Sequence, residues 1–124
     1  MVTEPAFREL NLGDYEGKTT PELEQEYGEA FAHWLSRHHQ DAPPGGENLQ
    51  QGIVRMAPAL QSWIARRQGP LIIVAHQAIL IAMKVSLSGD MSDTALASFK
   101  QANFEIDAWD IDAAKLKQRV DVSV

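Results

Sequence analysis

One of the four histidines lies in the middle of the most hydrophobic run of the chain, LIIVAHQAIL at residues 71–80. The imidazole of His76 can donate a hydrogen bond to a phosphate oxygen or stabilise a phosphoryl group during its transfer. A helix that begins directly after it would add the free backbone N–H groups of Gln77, Ala78 and Ile79, which favour an anion at the same place. The alternative is a core histidine that bonds a backbone carbonyl, and the residue type alone does not separate the two.

The residues on either side of His76 predict the elements that must position it. LIIVA is rich in β-branched residues without alternation, which is typical of a strand covered on both faces, as in a parallel sheet. Residues 78–87 are apolar nearly all round and predict a buried helix. Because open α/β sheets bind ligands outside the carboxyl ends of their strands, we expect His76 to lie at a ligand site.

Two helices are predicted before this strand. Thr20 and Pro21 are typical of a helix start. Apolar residues then recur at three- and four-residue spacing: Leu23, Tyr27, Phe31 and Trp34. A second helix is predicted from about Glu47 to Arg67, where interior Pro58 should kink it. Its apolar stripe consists of Leu49, Ile53, Met56, Leu60 and Trp63.

The C-terminal residues complete the predicted fold. Period-two spacing predicts two antiparallel strands with a turn near residues 112–115, and the residues concerned are Phe104, Ile106, Val120, Val122 and Val124. We therefore expect a single domain over residues 1–124. Its predicted class is α/β, a layered sheet with flanking helices.

Composition restricts the class of protein and partner. With 124 residues, 44% of them hydrophobic and 23% charged, the chain has the composition of a globular domain. A formal net charge of −6 argues against nucleic acid or an anionic membrane as a partner, and no cysteine is present to form a zinc site. The opening residues MVTEPAFREL do not form a signal peptide, and the longest apolar run is too short to span a bilayer. We expect a cytoplasmic protein that uses no cofactor.

Three stretches share a pattern with one enzyme family. FRELNLGDYEG at residues 7–17 combines a glutamate, a glycine four residues later and a closing Glu-Gly. PPGGEN at residues 43–48 is followed by Arg55 on the predicted helix, and the third stretch is LIIVAHQAIL itself. In this order and spacing they resemble the histidine phosphatase superfamily, the phosphoglycerate-mutase-like proteins. The resemblance covers nearly the whole chain and is closest in look to small phosphatases such as α-ribazole phosphatase.

The resemblance implies hydrolysis of a small phosphomonoester, with a phosphorylated metabolite or phosphate as the ligand. Glu9 is implied as the proton donor to the leaving oxygen, and His76 as the histidine that hydrogen-bonds the phosphoryl group. A phosphate favours a protonated carboxyl beside it, which is what a general acid needs. Without the resemblance, Glu9 would be interpreted as a solvent-facing loop carboxylate. Glu47 and Arg55 are interpreted as loop-anchoring and helix-surface residues, with a supporting role in the site as the alternative.

The chain departs from the family pattern before Glu9. The family's Arg-His-Gly, whose histidine becomes phosphorylated, and a second arginine come before the glutamate motif, whereas only eight residues precede Glu9 here. Arg37, His38 and His39 follow a helix on the other side of Glu9 and are interpreted as a polar loop. Gln77, where the family usually has glycine, would add a bulkier side chain beside the histidine. We expect an N-terminally truncated phosphoglycerate-mutase-like fold with little or no activity as this chain, or a non-catalytic remnant that binds a phosphorylated ligand or a partner chain.

The same departure predicts a partner. In the family, the strand that is missing here lies beside the strand that bears His76. Without it, two apolar sheet edges would be open, and open edges favour pairing with another chain. We expect a homo-oligomer, or pairing with a separate N-terminal chain.

Two further motifs are weaker. GDYEGKT at residues 13–19 has three residues between its glycine and Gly-Lys-Thr, whereas the phosphate-binding P-loop needs four. His33, His38 and His39 have no carboxylate or fourth ligand at a convincing spacing. We therefore expect neither nucleotide hydrolysis nor a metal site.

Overall fold

The computed structural model describes residues 1–37, 40–102 and 105–111. The α-helices in these ranges are α1 (Thr20–Tyr27), α2 (Glu29–Arg37), α3 (Leu49–Arg66), α4 (Gln77–Ser88) and α5 (Asp93–Ser98). Two short 3-10 turns, Pro5–Phe7 and Gly13–Tyr15, precede them. The chain divides into two compact units. The Leu10–Gly52 unit is one, and the other, called the α4 unit, consists of Met1–Glu9 and the described part of Ile53–Val124.

Helix α1 of the Leu10–Gly52 unit begins with a capping box. The Thr19 hydroxyl accepts a hydrogen bond from the Glu22 N–H at 3.3 Å, and the Glu22 carboxylate accepts one from the Thr19 N–H at 3.4 Å. The sequence predicted one continuous helix from here, which is wrong. The helix ends at Gly28, whose φ of 54° lies outside the right-handed helical region, and α2 begins at Glu29.

Aromatic residues form the core of the Leu10–Gly52 unit. Tyr15, Leu23 and Phe31 are buried there, with Tyr27 and Trp34 packed against them. The ring of Tyr15 lies 4.9 Å from that of Tyr27, 5.6 Å from that of Phe31 and 5.3 Å from that of Trp34. The three pairs are tilted or edge-to-face, arrangements that aromatic rings prefer. The predicted apolar face therefore packs as one cluster although Gly28 interrupts the helix.

Helix α3 confirms the second predicted helix and four of the five residues of its apolar stripe; the fifth, Trp63, is half-buried. Leu49, Ile53, Met56 and Leu60 are buried, whereas Pro58 is exposed within the helix. The spacing of these four residues places them on one face, so burial follows the helical period.

Helix α4 confirms the predicted buried helix. Its buried residues are Ile79, Ile81, Ala82, Met83, Lys84, Val85, Ser86 and Leu87. The helix ends at Gly89, which has a φ of 73° and donates its N–H to the carbonyl of Val85 at 2.7 Å. Because this burial extends around the helix, α4 is the central element of its unit.

The predicted layered α/β sheet is wrong, because none of the described residues belongs to a β-strand. Residues 71–75 form an irregular segment, in which Ile72 and Val74 are 86% and 93% exposed. A strand exists only where its backbone pairs with a neighbour, and residues 71–75 pair with no strand in the described ranges. The apolar run shows a side-chain preference for burial, whereas pairing depends on residues distant in sequence.

The predicted C-terminal strands fall largely outside the described residues. Ile106 is described and lies in no strand. The remaining positions of the pattern, Phe104, Val120, Val122 and Val124, lie outside the described ranges. No helix in those ranges has both the length and the apolar character needed to cross a membrane.

Candidate phosphate site

The candidate site lies at the first turn of α4, where His76 is the N-cap residue. The backbone of His76 is extended, with φ −97° and ψ 164°, and its carbonyl accepts a hydrogen bond from the Leu80 N–H at 2.9 Å. Its side chain makes no capping hydrogen bond, and the residue is exposed. His76 therefore directly precedes a helix, as the sequence predicted, but it follows an irregular segment instead of a strand.

Glu9 supplies the cap that His76 does not. Its Oε2 accepts a hydrogen bond from the Ala78 N–H at 3.1 Å, and its Oε1 accepts one from the Ile79 N–H at 2.9 Å. A carboxylate at this position interacts favourably with the positive end of the helix dipole, and hydrogen bonds to a charged acceptor are strong. Two of the N–H groups that the sequence assigned to an external anion therefore bind a carboxylate of the chain itself.

Arg55 of α3 fixes the backbone that carries Glu9. Its guanidinium donates hydrogen bonds to the carbonyls of Ala6 at 2.7 Å, Arg8 at 3.1 Å and Glu9 at 3.4 Å. The planar, multiply donating guanidinium suits several acceptors at once. Arg55 thus acts on the site through the backbone of residues 6–9, which is a positioning role.

Glu4 adds a contact that sequence reasoning missed. The Trp63 Nε1–H donates to Glu4 Oε1 at 2.8 Å, and Glu4 Oε2 accepts a bond from the Ala6 N–H at 3.3 Å. These bonds, first the one from Trp63, lower the pKa of Glu4 below its ordinary value. The acidic residue directly before Pro5 is a helix-cap signal that could have been recognised. Nothing in the sequence indicates that Trp63 is its second partner.

The side chain of Gln77 binds the backbone of Gln101 and does not cap α4. Its amide exchanges two hydrogen bonds with the backbone of Gln101, at 2.8 Å and 3.0 Å. The sequence proposed Gln77 and Ala78 as phosphate contacts through their backbone N–H groups. The structure adds a side-chain tether to the first of these residues.

Glu47 belongs to the Leu10–Gly52 unit, whereas the residues just described belong to the α4 unit. Its Oε1 accepts a hydrogen bond from the Asn11 N–H at 2.9 Å, and its own N–H donates to the Asn11 carbonyl at 2.9 Å. Nearby, the Asp14 N–H donates to the Pro44 carbonyl at 2.8 Å. These contacts join two loop segments within the unit, and they are the contacts of a loop-anchoring residue.

Other side chains with metal-binding chemistry do not gather in the described part of the chain. No group of three or more histidine, aspartate or glutamate side chains there is placed to hold a metal ion. His33 is exposed on α2, and His38 and His39 lie outside the described residues.

Comparison with solved structures concerns the fold. A chain described as Mycobacterial hydrolase 1 superposes with a TM-score of 0.66 at 23% sequence identity, covering 76% of this chain and 48% of that chain. A second, Mycobacterial hydrolase 2, gives a TM-score of 0.65 at 19% identity, covering 98% of this chain and 66% of that one. At these identities the likeness is one of fold alone.

Comparison of sequences identifies the family. The 2,3-bisphosphoglycerate-dependent phosphoglycerate mutase of Bartonella tribocorum (strain CIP 105476 / IBS 506) is 33% identical over 93 residues, which cover 72% of this chain and 45% of the relative. Fructose-2,6-bisphosphatase of Saccharomyces cerevisiae (strain ATCC 204508 / S288c) is 32% identical over 75 residues, covering 60% of this chain and 16% of the relative. The chain thus spans less than half the length of these curated relatives. The family model of the histidine phosphatase superfamily (branch 1) matches residues 1–120. The match covers nearly the whole chain and confirms the resemblance of the three motifs, so this chain belongs to the histidine phosphatase superfamily.

Proposed function

We propose that Glu9 and His76 belong to the active site of a phosphomonoesterase for small phosphorylated metabolites. The observation that carries the proposal is the Glu9 carboxylate on the first turn of α4. It is bonded to the N–H group of Ala78, which is 69 positions away in the sequence and two residues after the N-cap His76. An acid and an imidazole at one helix N-terminus can together bind and protonate a phosphate ester.

In this proposal His76 donates a hydrogen bond to a phosphoryl oxygen, and Glu9 gives a proton to the leaving oxygen. Phosphate contact with the Ala78 N–H requires the Glu9 carboxylate to leave that group, because it occupies the group now. A released Glu9 can then meet the leaving oxygen in its protonated form. Binding and proton donation are therefore linked through the first turn of α4.

We expect little or no turnover by this chain on its own. Catalysis of phosphoryl transfer rests mainly on positioning and on neutralisation of charge. Two described arginines lie in these motifs, and both donate to backbone carbonyls. Arg8 donates to the Pro5 carbonyl at 3.2 Å, and Arg55 donates to the carbonyls of residues 6, 8 and 9. The proposed activity therefore depends on phosphate-binding cations from elsewhere in the whole protein or from a partner.

The relatives support the substrate class. One is named for a reaction of phosphoglycerate and another for hydrolysis of fructose 2,6-bisphosphate, so both act on small phosphorylated metabolites. Because the chain resembles α-ribazole phosphatase, a nucleoside monophosphate analogue is the substrate to assay after p-nitrophenyl phosphate. We also propose a cytoplasmic location for this chain, whose sequence contains no cysteine.

The test is hydrolysis of p-nitrophenyl phosphate by the purified chain and by His76→Ala. His33→Ala is the matched control, because His33 is also exposed but belongs to the other unit. Turnover above background that His76→Ala abolishes and His33→Ala retains would establish the site and contradict the expected inactivity. Equal turnover in all three proteins would show that the turnover does not need His76 and would count against the site.

A second candidate function is binding without turnover. The capping bonds of Glu9 favour it, because they use the charged carboxylate whereas a general acid must carry a proton. Titration of ¹⁵N-labelled protein with inorganic phosphate tests this function directly. Shifts at the Ala78 and Ile79 amides without hydrolysis would identify a phosphate-binding protein, and unchanged spectra at millimolar phosphate would exclude it.

A further inference from the structure

The side chain of Gln77 pairs with a single backbone residue in both directions. Its Nε2 donates to the Gln101 carbonyl at 2.8 Å, and its Oε1 accepts a hydrogen bond from the Gln101 N–H at 3.0 Å. Two residues of adjacent antiparallel strands exchange bonds in the same manner. The side-chain amide of Gln77 thus takes the place of a backbone peptide group and fixes both the backbone N–H and the backbone carbonyl of Gln101.

The tethered residue is part of an organised group. Gln101 Nε2 donates to the Glu105 carbonyl at 2.9 Å, and the Ala102 N–H donates to Glu105 Oε2 at 2.7 Å. The Glu105 N–H returns a bond to the Ala102 carbonyl at 3.1 Å. We call Gln101, Ala102 and Glu105 the Gln101 group. Because its members bond to one another, the tether at Gln77 restrains all three.

A second residue of α4 holds the same part of the chain. The buried Lys84 donates to the Phe99 carbonyl at 2.9 Å and pairs with Asp107 Oδ2 at 3.0 Å. Lys84 follows Gln77 by seven residues, a spacing that returns to the same face of a helix. Phe99 and Asp107 lie on either side of the Gln101 group in the sequence, so α4 holds that group at Gln77 and its flanks at Lys84.

The geometry points to Gln77 as a positioning residue that restricts which phosphate esters reach His76. Gln77 directly follows His76, so the Gln101 group is bonded to the residue next to His76 in the chain. A restrained group there admits inorganic phosphate more readily than an ester with a bulky leaving group. The inference rests on the proposed function, because it concerns access to His76.

The test compares Gln77→Leu with the wild-type chain. Leucine keeps most of the side-chain volume but makes neither hydrogen bond, so we expect exchange of the Gln101 amide hydrogen to rise at least tenfold. Gln77→Glu retains an acceptor for the Gln101 N–H, and we expect it to restore part of the protection. Gln50→Leu, at the exposed second residue of α3, is the matched control and should leave Gln101 protected. Unchanged exchange in Gln77→Leu, with helicity retained, would overturn the tether.

The second readout is the affinity for inorganic phosphate and for 1-naphthyl phosphate, measured from the His76 imidazole resonances. We expect Gln77→Leu to shift the ratio of the two affinities at least threefold in favour of the naphthyl ester. An unchanged ratio with faster Gln101 exchange would overturn the role in access while leaving the tether established. Binding of neither ligand by any variant would overturn the proposed function and, with it, the role in access, whereas the exchange data would still decide the tether.

Discussion

At the scale of single residues, the capping bonds of Glu9 and its proposed role as proton donor make opposite demands on its carboxyl group. Capping of α4 uses the charged form, which accepts hydrogen bonds from the N–H groups of Ala78 and Ile79. Donation of a proton to a leaving oxygen uses the neutral form. One residue can serve both roles if ligand binding moves it from the first state to the second. The free protein then depends on Glu9 for stability, and the proposed chemistry depends on it as well.

Replacement of Glu9 should therefore destabilise the unliganded chain. We expect Glu9→Ala to lower the free energy of unfolding by about 1–2 kcal/mol, the usual effect of removing a helix cap. Glu9→Gln should lower it less, because the amide oxygen still accepts one bond but carries no charge. Urea denaturation followed by circular dichroism measures both. Glu24→Ala, at an exposed position within α1, is the control and should change the value by less than about 0.5 kcal/mol. Equal losses in Glu9→Ala and Glu24→Ala would refute the capping role.

The sequence located the candidate site but not its internal contacts. His76 was singled out by its residue type and its position after an apolar run, whereas Glu9 was named through the resemblance to the histidine phosphatase superfamily. The bonds of Glu9 to Ala78 and Ile79 span 69 and 70 positions, and no local pattern encodes them. The same holds for Gln77 and Gln101, since a glutamine after a histidine has no preferred distant partner. Chemistry is thus visible in local sequence, whereas pairing depends on the path of the whole chain.

At the scale of elements, the backbone of residues 44–46 lies very close to the Cα of Gly13. The φ of Gly13 is 52°, and an added Cβ would collide with the Pro44 carbonyl and lie 2.5 Å from the Gly46 N atom. Backbone atoms cannot move aside as a flexible side-chain end can. Gly17 also has a positive φ, 72°, but an added Cβ there meets no atom within 4 Å. Gly17 therefore tests the cost of the backbone conformation alone, whereas Gly13 tests that cost together with a steric contact.

Alanine should be far less tolerated at Gly13 than at Gly17. We expect Gly17→Ala to lower the free energy of unfolding by about 1–2 kcal/mol, from the left-handed backbone alone. Gly13→Ala should add about 1–3 kcal/mol from overpacking. Thermal and chemical denaturation of the two variants measure the difference. Similar losses at both positions would mean that the loop contact between Gly13 and Pro44 is not formed in solution.

The ion pair between Lys84 of α4 and Asp107 should make the stability of the chain depend on pH in the acidic range. The hydrogen bond from Lys84 is the largest cause that lowers the pKa of Asp107 below its ordinary value of about 3.9. A lowered pKa means that the stabilisation is complete above that ordinary value and is lost as the pH falls through the lower value of the folded state. Asp107 is 42% exposed, so solvent screens part of the effect.

We expect Asp107→Asn to reduce the free energy of unfolding at pH 7 and to have less effect as the pH falls below about 4. Denaturation of both proteins between pH 2 and pH 7 measures the difference. Asp93→Asn is unsuitable as a control, because Asp93 lies in the first turn of α5, whereas Asp110→Asn changes an exposed carboxylate of the same segment. A difference between wild type and Asp107→Asn that stays constant over this range would contradict the ion pair.

A helix could be predicted from the sequence where the spacing of its own apolar residues shows which of its faces is buried. The apolar stripe of α3 and the all-round apolar character of α4 needed no distant partner to be recognised. The break between α1 and α2 depends on the positive φ of Gly28, and an isolated glycine in a sequence does not show whether it adopts a positive φ. The prediction of a strand at residues 71–75 was wrong for another reason. A buried strand and an unpaired apolar segment have the same composition, and only a neighbour distinguishes them.

At the scale of the whole molecule, the apolar residues 71–75, which pair with no strand in the described part of the chain, predict self-association. Ile72 and Val74 are almost fully exposed, and Leu71 beside them is also exposed. The same segment in a second copy has equal length and apolar character, so two copies can pair through identical surfaces about a twofold axis. The expectation from the sequence, a homo-oligomer, stays a prediction and now has named residues.

We expect the chain to sediment as a dimer or larger species at micromolar concentration, and Ile72→Glu with Val74→Glu to shift it to monomer. The two carboxylates would repel one another across a paired interface and would be costly to bury. Ile106→Glu is the matched control, because Ile106 is equally exposed but lies outside residues 71–75. Sedimentation velocity over a hundredfold range of concentration measures the three proteins. A monomeric wild type would exclude self-pairing, and a shift to monomer by Ile106→Glu alone would place the interface elsewhere.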